Sequence, residues 1–298
     1  MREEEIYECI IIGAGPGGLQ AAIYLGRYNR YVLLLDRGGG ITWHAKYIEN
    51  FLTQKSISGK DIIKIGIEQA KSFNVLVERA LVTKVLKKED FEVYAGDRRF
   101  VSKFVIVSTG VYDNLPPIEN LHKFLGISFF TCIDCDGYRT TDKKLVVMGN
   151  SLKTVHVAFA MKEMFTRVIT LISYSYKVPP EYEEELKREN IRLVTEQPVK
   201  IIGDERMEAI ELINGQLVEC DVIMSDFGYK LNDEFLADLS LKRDSSGFYQ
   251  VNENFESSLS GLYIVGPLNT GKDQVIIAAG EGAVAAIDIN RRLLQDRI

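Results

Sequence analysis

The sequence predicts an α/β protein of two three-layer domains, the second inserted into the first. The prediction rests on a strand–turn–helix pattern that begins near the N-terminus and recurs in the middle of the chain. The first copy is the apolar run 10–12 followed by the glycine-rich turn 13–18, and the second begins at Leu145 with its turn at Gly149. Short continuous apolar runs suit strands buried in a parallel sheet. Both copies are therefore predicted to be βαβ units of Rossmann-like, nucleotide-binding domains.

Further elements follow each turn in the order that such domains require. The predicted helices cover residues 19–28, the stretch ending near 165 and the stretch from about 274 to 294, and the predicted strands cover 32–36, 145–149, 168–172, 104–110 and 261–266. The last two strands end in glycine, which is typical of a chain crossing between domains. The simplest topology is a discontinuous domain of residues 1–118 and 246–298, interrupted by an inserted domain of residues 119–245.

The composition excludes several classes of protein. The chain has 298 residues, of which 46% are hydrophobic and 26% charged, as expected for a protein with a large buried core. A net charge of −6 disfavours a nucleic-acid partner, which needs a basic surface. No apolar run approaches the roughly 18 residues of a membrane span, and the acidic start of the chain does not resemble a signal peptide. We therefore expect a cytoplasmic protein without a membrane partner.

The turn after the first strand has the G-x-G-x-x-G pattern of a dinucleotide site. Gly13 permits the tight turn, Gly15 lets a pyrophosphate approach the backbone, and Gly18 lets helix and strand pack closely. The following helix N-terminus favours a phosphate, and Asp36 ends the next strand, where an acid binds a ribose. The motif predicts an adenosine diphosphate moiety and does not decide between FAD and NAD.

A C-x-x-C motif lies just before the second turn. Cys132 and Cys135 are followed directly by Asp136. In this motif one thiolate attacks a disulfide and the other resolves the mixed disulfide, and no disulfide framework is expected in a reducing cytosol. A zinc site would need four ligands, whereas Cys9 and Cys220 stand alone in the sequence. We therefore predict a redox pair and no metal site.

Several motifs together resemble the low-molecular-weight thioredoxin reductases over nearly the whole chain. They are the segments 13–18, 38–43, 48–51, 58–59, 108–110, 132–137 and 278–282, in the order that the family has them. The resemblance implies a homodimer, a tightly bound FAD in the discontinuous domain and a redox-active disulfide in the inserted one. It also implies domain rotation and a partner that is a thioredoxin-like protein or a small-molecule disulfide.

The same resemblance assigns roles to individual residues. It places Cys135 nearer the flavin, makes Cys132 the residue that attacks the partner disulfide, and makes Asp136 the group that moves the proton. The FAD-binding residues that it implies are Gly13, Gly15, Pro16, Gly17, Asp36, Arg37, Gly40, Ile41, Asn50, Thr109, Gly110, Gly266, Gln274 and Val275.

The chain departs from the family pattern where NADPH would bind. In the turn at Gly149, where the family has G-x-G-x-x-A, Ser151 replaces the second glycine and Thr154 replaces the alanine. Residues 173–175 are Ser-Tyr-Ser where the family has a His-Arg-Arg run. Losing two charge-assisted phosphate contacts costs about 1.5–3 kcal/mol each, or roughly two to four orders of magnitude in affinity together. Ordinary NADPH use is therefore not expected. A further departure is Pro267, which replaces an acid near the flavin ribitol.

Some cyanobacterial relatives share a retained C-x-x-C and a discarded NADPH site. The sequence looks most like their diflavin-linked disulfide oxidoreductases, which implies a second FAD in the inserted domain. Its expected contacts are Gly149, Asn150, Ser151, Leu152, Tyr174 and Tyr176, the tyrosines offering aromatic faces to a stacked ring. Two alternatives stay open: a ferredoxin-dependent thioredoxin reductase with one FAD, and a flavin and dithiol redox sensor that does not turn over.

Overall fold

The computed structural model of the protein describes residues 6–295, which divide into two compact units. The first unit comprises the chain up to Tyr112 together with the chain from Lys230 onward. The inserted unit comprises residues 113–229. Each unit contains its own sheet with parallel strands, so the predicted α/β class with two Rossmann-type domains is confirmed.

The regular elements follow one another along the chain with short connections. Up to the inserted unit they are β1 (Ile6–Ile12), α1 (Pro16–Arg27), β2 (Val32–Asp36), α2 (Ile41–His44), α3 (Gly59–Ser72), β3 (Leu76–Arg79), β4 (Lys84–Lys87), β5 (Phe91–Ala95), β6 (Arg98–Val107) and β7 (Val111–Asp113). The next are α4 (Leu121–Phe124), β8 (Phe129–Phe130), α5 (Ile133–Asp136), β9 (Leu145–Gly149), α6 (Leu152–Met164), β10 (Ile169–Ile172), α7 (Pro180–Arg188), β11 (Arg192–Val194), β12 (Pro198–Gly203), β13 (Met207–Leu212), β14 (Leu217–Glu219) and β15 (Val222–Asp226). The last are β16 (Tyr229–Leu231), β17 (Leu262–Ile264), α8 (Pro267–Thr270) and α9 (Val275–Gln295), with short 3₁₀ turns at Gly137–Thr140 and Glu234–Leu236.

The first unit is organised around a seven-stranded sheet. Its order is β3-β2-β1-β6-β5-β4, with β17 paired to the second half of β6. All pairs are parallel except those of β4 with β5 and of β5 with β6. Helices α1, α3 and α9 pack against one face, where Leu25, Ile106 and Ile289 belong to one buried cluster. The carboxyl ends of β1, β2 and β6 therefore meet at one edge, the usual location of a ligand in such sheets.

The inserted unit has a five-stranded parallel sheet between two different layers. Its order is β11-β10-β9-β15-β8, and a separate antiparallel sheet has the order β12-β13-β14. Along β9, Val146 and Met148 face a cluster that includes residues of the antiparallel sheet, whereas Val147 faces the cluster that includes residues of α6 and α7. Because side chains alternate along a strand, these two clusters lie on opposite faces. The unit thus has three layers.

The structure divides the units at 112/113 and 229/230, whereas the sequence placed the crossings near 118 and 245. The second difference has a clear cause. Phe235 and Leu236 are buried in the core of the first unit. The side-chain amide of Asn232 donates to the carbonyl oxygen of Thr109 at 3.0 Å. Residues 230–245 therefore pack with the first unit, although they carry no motif of their own.

None of the helices between Ile6 and Gln295 combines the length and the apolar character that crossing a lipid bilayer requires.

Candidate active site

The first glycine-rich turn connects β1 to α1 and tolerates side chains poorly. Gly13 has φ +101°, and a Cβ there would lie 2.5 Å from the carbonyl oxygen of Ser108. A Cβ on Gly18 would lie 2.0 Å from the carbonyl oxygen of Gly13. The amide of Gly18 donates to the hydroxyl of Ser108 at 2.8 Å, which ties the first turn of α1 to the end of β6. Glycine is required here by close backbone packing.

The turn opens onto a cavity of about 420 Å³ at the carboxyl edge of the sheet. Every FAD-binding residue that the resemblance implies lines this cavity except Asn50. The side chain of Asn50 instead donates to Oε1 of Gln274, a lining residue, at 2.8 Å. The lining residues predicted from the sequence are Gly13, Gly15, Pro16, Gly17, Asp36, Arg37, Gly40, Ile41, Thr109, Gly110, Gly266, Gln274 and Val275. The structure thus brings together segments that are more than 250 residues apart in sequence.

Asp36 lies at the end of β2 and holds the entrance of the turn together. One carboxylate oxygen accepts the amide of Ala14 at 3.0 Å, and the other accepts the amide of Gly38 at 2.7 Å. The next side chain, Arg37, stacks its guanidinium 4.9 Å from the ring centre of Tyr112. Asp36 therefore links the turn after β1 to the loop after β2, in addition to offering an acceptor at the cavity.

Cys132 and Cys135 form a disulfide at the start of the short helix α5. Both residues are half-buried, and the amide of Cys135 donates to the sulfur of Cys132 at 3.1 Å. A hydrogen bond from an amide favours the thiolate once the disulfide is opened. Asp136 is paired with Arg139, whose Nε donates to Oδ1 of the aspartate at 3.1 Å. The site thus contains the two sulfurs, an amide that stabilises a thiolate and a nearby carboxylate. These groups can carry out thiol–disulfide exchange.

The other two cysteines are buried free thiols. Burial raises the pKa of Cys9 far above its ordinary range and raises the pKa of Cys220 to about 12. Both thiols therefore stay protonated and unreactive near neutral pH. Within residues 6–295, no group of three or more His, Cys, Asp and Glu side chains is arranged to hold a metal ion.

The second turn, between β9 and α6, differs in detail from the first. A Cβ on Gly149 would lie 2.2 Å from both the carbonyl oxygen of Asp226 and the hydroxyl of Thr154. Asn150 is exposed, and Ser151 and Leu152 are half-buried at the start of α6, which no described side chain caps. The glycine is thus used for close packing of the turn against the end of β15.

The two tyrosines expected at a second ring site lie on opposite faces of the inserted sheet. Tyr174 packs with the cluster that includes Met148 and approaches the ring of Phe227 at 6.0 Å, whereas Tyr176 packs with the cluster of α6 and α7. Both are partly buried. The structure therefore does not bring these rings together around a single stacked ligand, because the chain bends over residues 174–176 after β10 ends.

Comparison with known proteins identifies the family. The model of the pyridine nucleotide-disulphide oxidoreductases matches residues 7–282. The chain belongs to this family.

Curated members and solved structures similar to the chain agree with that membership. It is 28% identical to the "34.2 kDa protein in rubredoxin operon" of Clostridium pasteurianum, over 96% of this chain and 97% of that protein. It is also 28% identical to the thioredoxin reductase of Aquifex aeolicus, over 97% and 94% of the two chains. Among solved structures, HlmI matches with a TM-score of 0.93 at 22% identity, covering 100% of this chain and 95% of HlmI. A putative thioredoxin reductase from Bacillus anthracis matches with a TM-score of 0.91 at 23% identity, covering 98% and 100%. At these identities, the two structures show the fold alone.

This member of the pyridine nucleotide-disulphide oxidoreductase family is a thioredoxin reductase-like flavin disulfide oxidoreductase. The resemblance seen in the sequence is confirmed at that level. The family implies FAD, and the cavity of the first unit fits it. Gly15 directly precedes α1, whose first turn no described side chain caps, and a Cβ on Gly40 or Gly110 would meet no described atom within 4 Å. This open backbone cradle next to a helix N-terminus suits a dinucleotide.

Sequence reasoning missed part of the cavity wall. The lining residues that were not predicted as contacts include Leu81, Val82, Thr83, Ser108, Asn232, Glu234, Phe235, Asp273 and Ala278. Ser108 could have been predicted from the sequence, because it directly precedes two predicted FAD contacts after β6. The residues of 232–235 could not, because only the return of the chain into the first unit brings them to the cavity.

A buried acid supports the part of the cavity wall that contains Gly266 and Pro267. The carboxylate of Glu281 accepts the amide of Gly266 at 2.5 Å and the side-chain amide of Asn269 at 2.9 Å, both on Oε2. Burial raises the pKa of the Glu281 carboxyl above its ordinary value, and the two hydrogen bonds offset only part of that effect. Glu281 therefore holds the turn at Gly266 in place. Its ionisation in this buried position lowers the stability of the folded protein.

We expect the Glu281→Gln variant to become more stable than the native protein as the pH rises. A carboxyl with a raised pKa in the folded state contributes stability below its unfolded pKa of about 4.3 and loses it as the pH increases. The amide oxygen of glutamine can accept both hydrogen bonds without ionising. Thermal unfolding measured between pH 4 and pH 8 should show a difference in Tm that grows to roughly 2–4 °C. A constant difference across this range would contradict the expectation.

Proposed function

We propose that the protein reduces the disulfide of a thioredoxin-like protein, with electrons that pass through FAD in the first unit and the Cys132–Cys135 pair. The observation that carries the proposal is the disulfide between these residues, in a chain whose family implies FAD. The half-buried sulfurs and the neighbouring carboxylate of Asp136 support exchange with a partner disulfide.

FAD held in the cavity of the first unit would, once reduced, supply two electrons. With two protons, these would convert the Cys132–Cys135 disulfide into two thiols. Cys132 then attacks one sulfur of the partner disulfide as a thiolate and forms a mixed disulfide. Cys135 attacks Cys132, which releases the partner as a dithiol and restores the original bond. The amide of Cys135 next to the sulfur of Cys132 supports the role of Cys132 as the attacking thiolate. Asp136 is proposed to move the proton.

We further propose that the electrons do not come from NADPH. The loop after β10 offers little to a ribose phosphate: the hydroxyl of Ser173 is buried and donates to the carbonyl oxygen of Tyr176 at 2.7 Å. Tyr174 is packed against the core. A protein donor such as reduced ferredoxin fits a chain without that site. The homodimer, the cytoplasmic location and the cyanobacterial subtype remain proposals from the resemblance.

A second FAD in the inserted unit is the rival proposal. It is supported by the uncapped start of α6 after Gly149 and by the partly exposed ring of Tyr174. The separation of Tyr174 from Tyr176 argues against a sandwiched ring. The ratio of released flavin to protein in the purified chain decides between the proposals: a ratio of two supports the diflavin form, and a ratio of one removes it.

The proposed function is tested by offering different electron donors to the anaerobic FAD-bound protein. We expect reduced ferredoxin to bleach the flavin absorbance and produce free thiols on added thioredoxin, and millimolar NADPH to do neither. Bleaching by NADPH would overturn the proposal on the donor. Thiols that appear on Cys132 and Cys135 but never on any added disulfide would instead support the redox sensor.

A further inference from the structure

The carboxylate of Asp226 lies beside the turn between β9 and α6, where a dinucleotide would bind to the inserted unit. Asp226 is the last residue of β15 and pairs with Gly149 at the end of β9. The backbone of Asp226 is so close to the turn that a Cβ on Gly149 would lie 2.2 Å from its carbonyl oxygen. The hydroxyl of Thr154 in α6 donates to the same carbonyl at 3.3 Å. The end of β15 and the start of α6 are therefore in direct contact.

The side chain of Asp226 also engages the start of α6. Its Oδ1 accepts a hydrogen bond from Nζ of Lys153 at 2.8 Å, and Lys153 is the second residue of the helix. The side chain of Asp226 is only 13% exposed, against 72% for Lys153, so the acid is the inner member of the ion pair. Its Oδ2 is buried and has no hydrogen-bond partner among the described residues. A buried oxygen without a donor marks a carboxylate that ordinary packing does not account for.

The start of α6 otherwise has the properties of an anion site. The helix has 13 residues, its first turn contains no acid, and the described side chains provide no cap at Ser151. Its amides and dipole favour a negative charge there. Asp226 supplies that charge from within the chain and engages the cation of the same turn. A nucleotide phosphate at this position would face a carboxylate of like charge in a partly buried setting, where charges interact strongly.

We propose that Asp226 determines donor specificity, acting as a built-in anion that excludes nucleotide phosphates from the turn between β9 and α6. The inference rests on the proposed function, because it explains why the inserted unit does not accept NADPH. The absence of cationic side chains at residues 173–175 explains only weak attraction of a phosphate. The proposal adds a negative charge that repels the phosphate. It applies equally to the pyrophosphate of a second FAD.

The test is a gain of binding in the Asp226→Asn variant of the FAD-bound protein. Asparagine keeps the size of the side chain and removes the charge, so Lys153 and the helix start become accessible to a phosphate. Calorimetric titration with NADPH and with ADP should show affinities that increase by roughly tenfold or more over the native protein. ADP carries the pyrophosphate without the nicotinamide and reports on the turn alone. The double variant Asp226→Asn with Lys153→Ala should lose most of the gain.

Glu219→Gln provides the matched control, because Glu219 is an exposed acid of the same unit that pairs with Lys144 at 2.7 Å outside the turn. It should not change nucleotide binding. Asp226→Ala serves as a second variant, and thermal unfolding checks that each variant is folded. If the native protein binds NADPH tightly, the proposed function fails. If the native protein binds neither nucleotide and neither Asp226 variant gains affinity, the proposed function stands and this inference is overturned.

Discussion

A Cys135→Ser variant is expected to lose disulfide reduction by roughly a thousandfold or more, because it removes a member of the reacting pair. Serine cannot form the bond with Cys132, so the variant cannot store two electrons as a dithiol. The variant should nevertheless retain its FAD, since Cys135 belongs to the inserted unit and all residues that line the cavity belong to the first. Thioredoxin reduction and the flavin-to-protein ratio, measured on the same preparation, check both statements.

The matched control is Cys220→Ala, which removes the other thiol of the inserted unit. Burial raises the pKa of Cys220 to about 12, so this thiol has almost no thiolate at neutral pH. We expect the control to keep nearly full activity. Turnover by Cys135→Ser at a rate near that of the native protein would show that electrons bypass the disulfide. An equal loss in the control would trace the effect to the fold of the inserted unit.

Gly282→Ala is expected to destabilise the first unit and to release FAD. Gly282 lies in α9, where a Cβ would be 2.0 Å from the carbonyl oxygen of Gly17 in α1. The contact is with backbone, so a new methyl group must push the helices apart. Overpacking of this kind costs on the order of 3 kcal/mol, which lowers Tm by roughly 6–12 °C. Because Gly17 lines the cavity, displacement of α1 also disturbs the turn that we propose holds the pyrophosphate of FAD.

Gly280→Ala in the same helix should have the opposite effect. No described heavy atom lies within 4 Å of the position that a Cβ would take at Gly280. Alanine in an exposed helical position should add about 0.5–1 kcal/mol, because glycine loses more backbone entropy on folding. Thermal unfolding and the flavin ratio of the two variants therefore separate helix propensity from the contact between α1 and α9. Similar behaviour of the two variants would remove the argument that this contact supports the cofactor cavity.

The sequence by itself determined the features that depend on local backbone requirements. The turn at Gly13 needs a positive φ and close packing, and its glycine spacing is visible without any knowledge of the fold. The C-x-x-C of Cys132 and Cys135 is likewise local, since three residues of separation suffice to place the sulfurs together. The two βαβ units followed from the apolar runs before each turn, and the pairing of the strands agrees with them.

Only the tertiary structure decided the contacts that depend on where distant segments return. Phe235 lines the cavity because β16 pairs with β7 and returns the chain to the residues that follow β6, and nothing in its own sequence indicates this. Tyr174 and Tyr176 looked like a pair, yet they pack on opposite faces of the sheet. Asp226 lies at the turn of the inserted unit only because β15 pairs it with Gly149, 77 residues earlier in the sequence. A local motif specifies its own backbone, whereas the charge and packing around it come from strands whose register is set by the whole core.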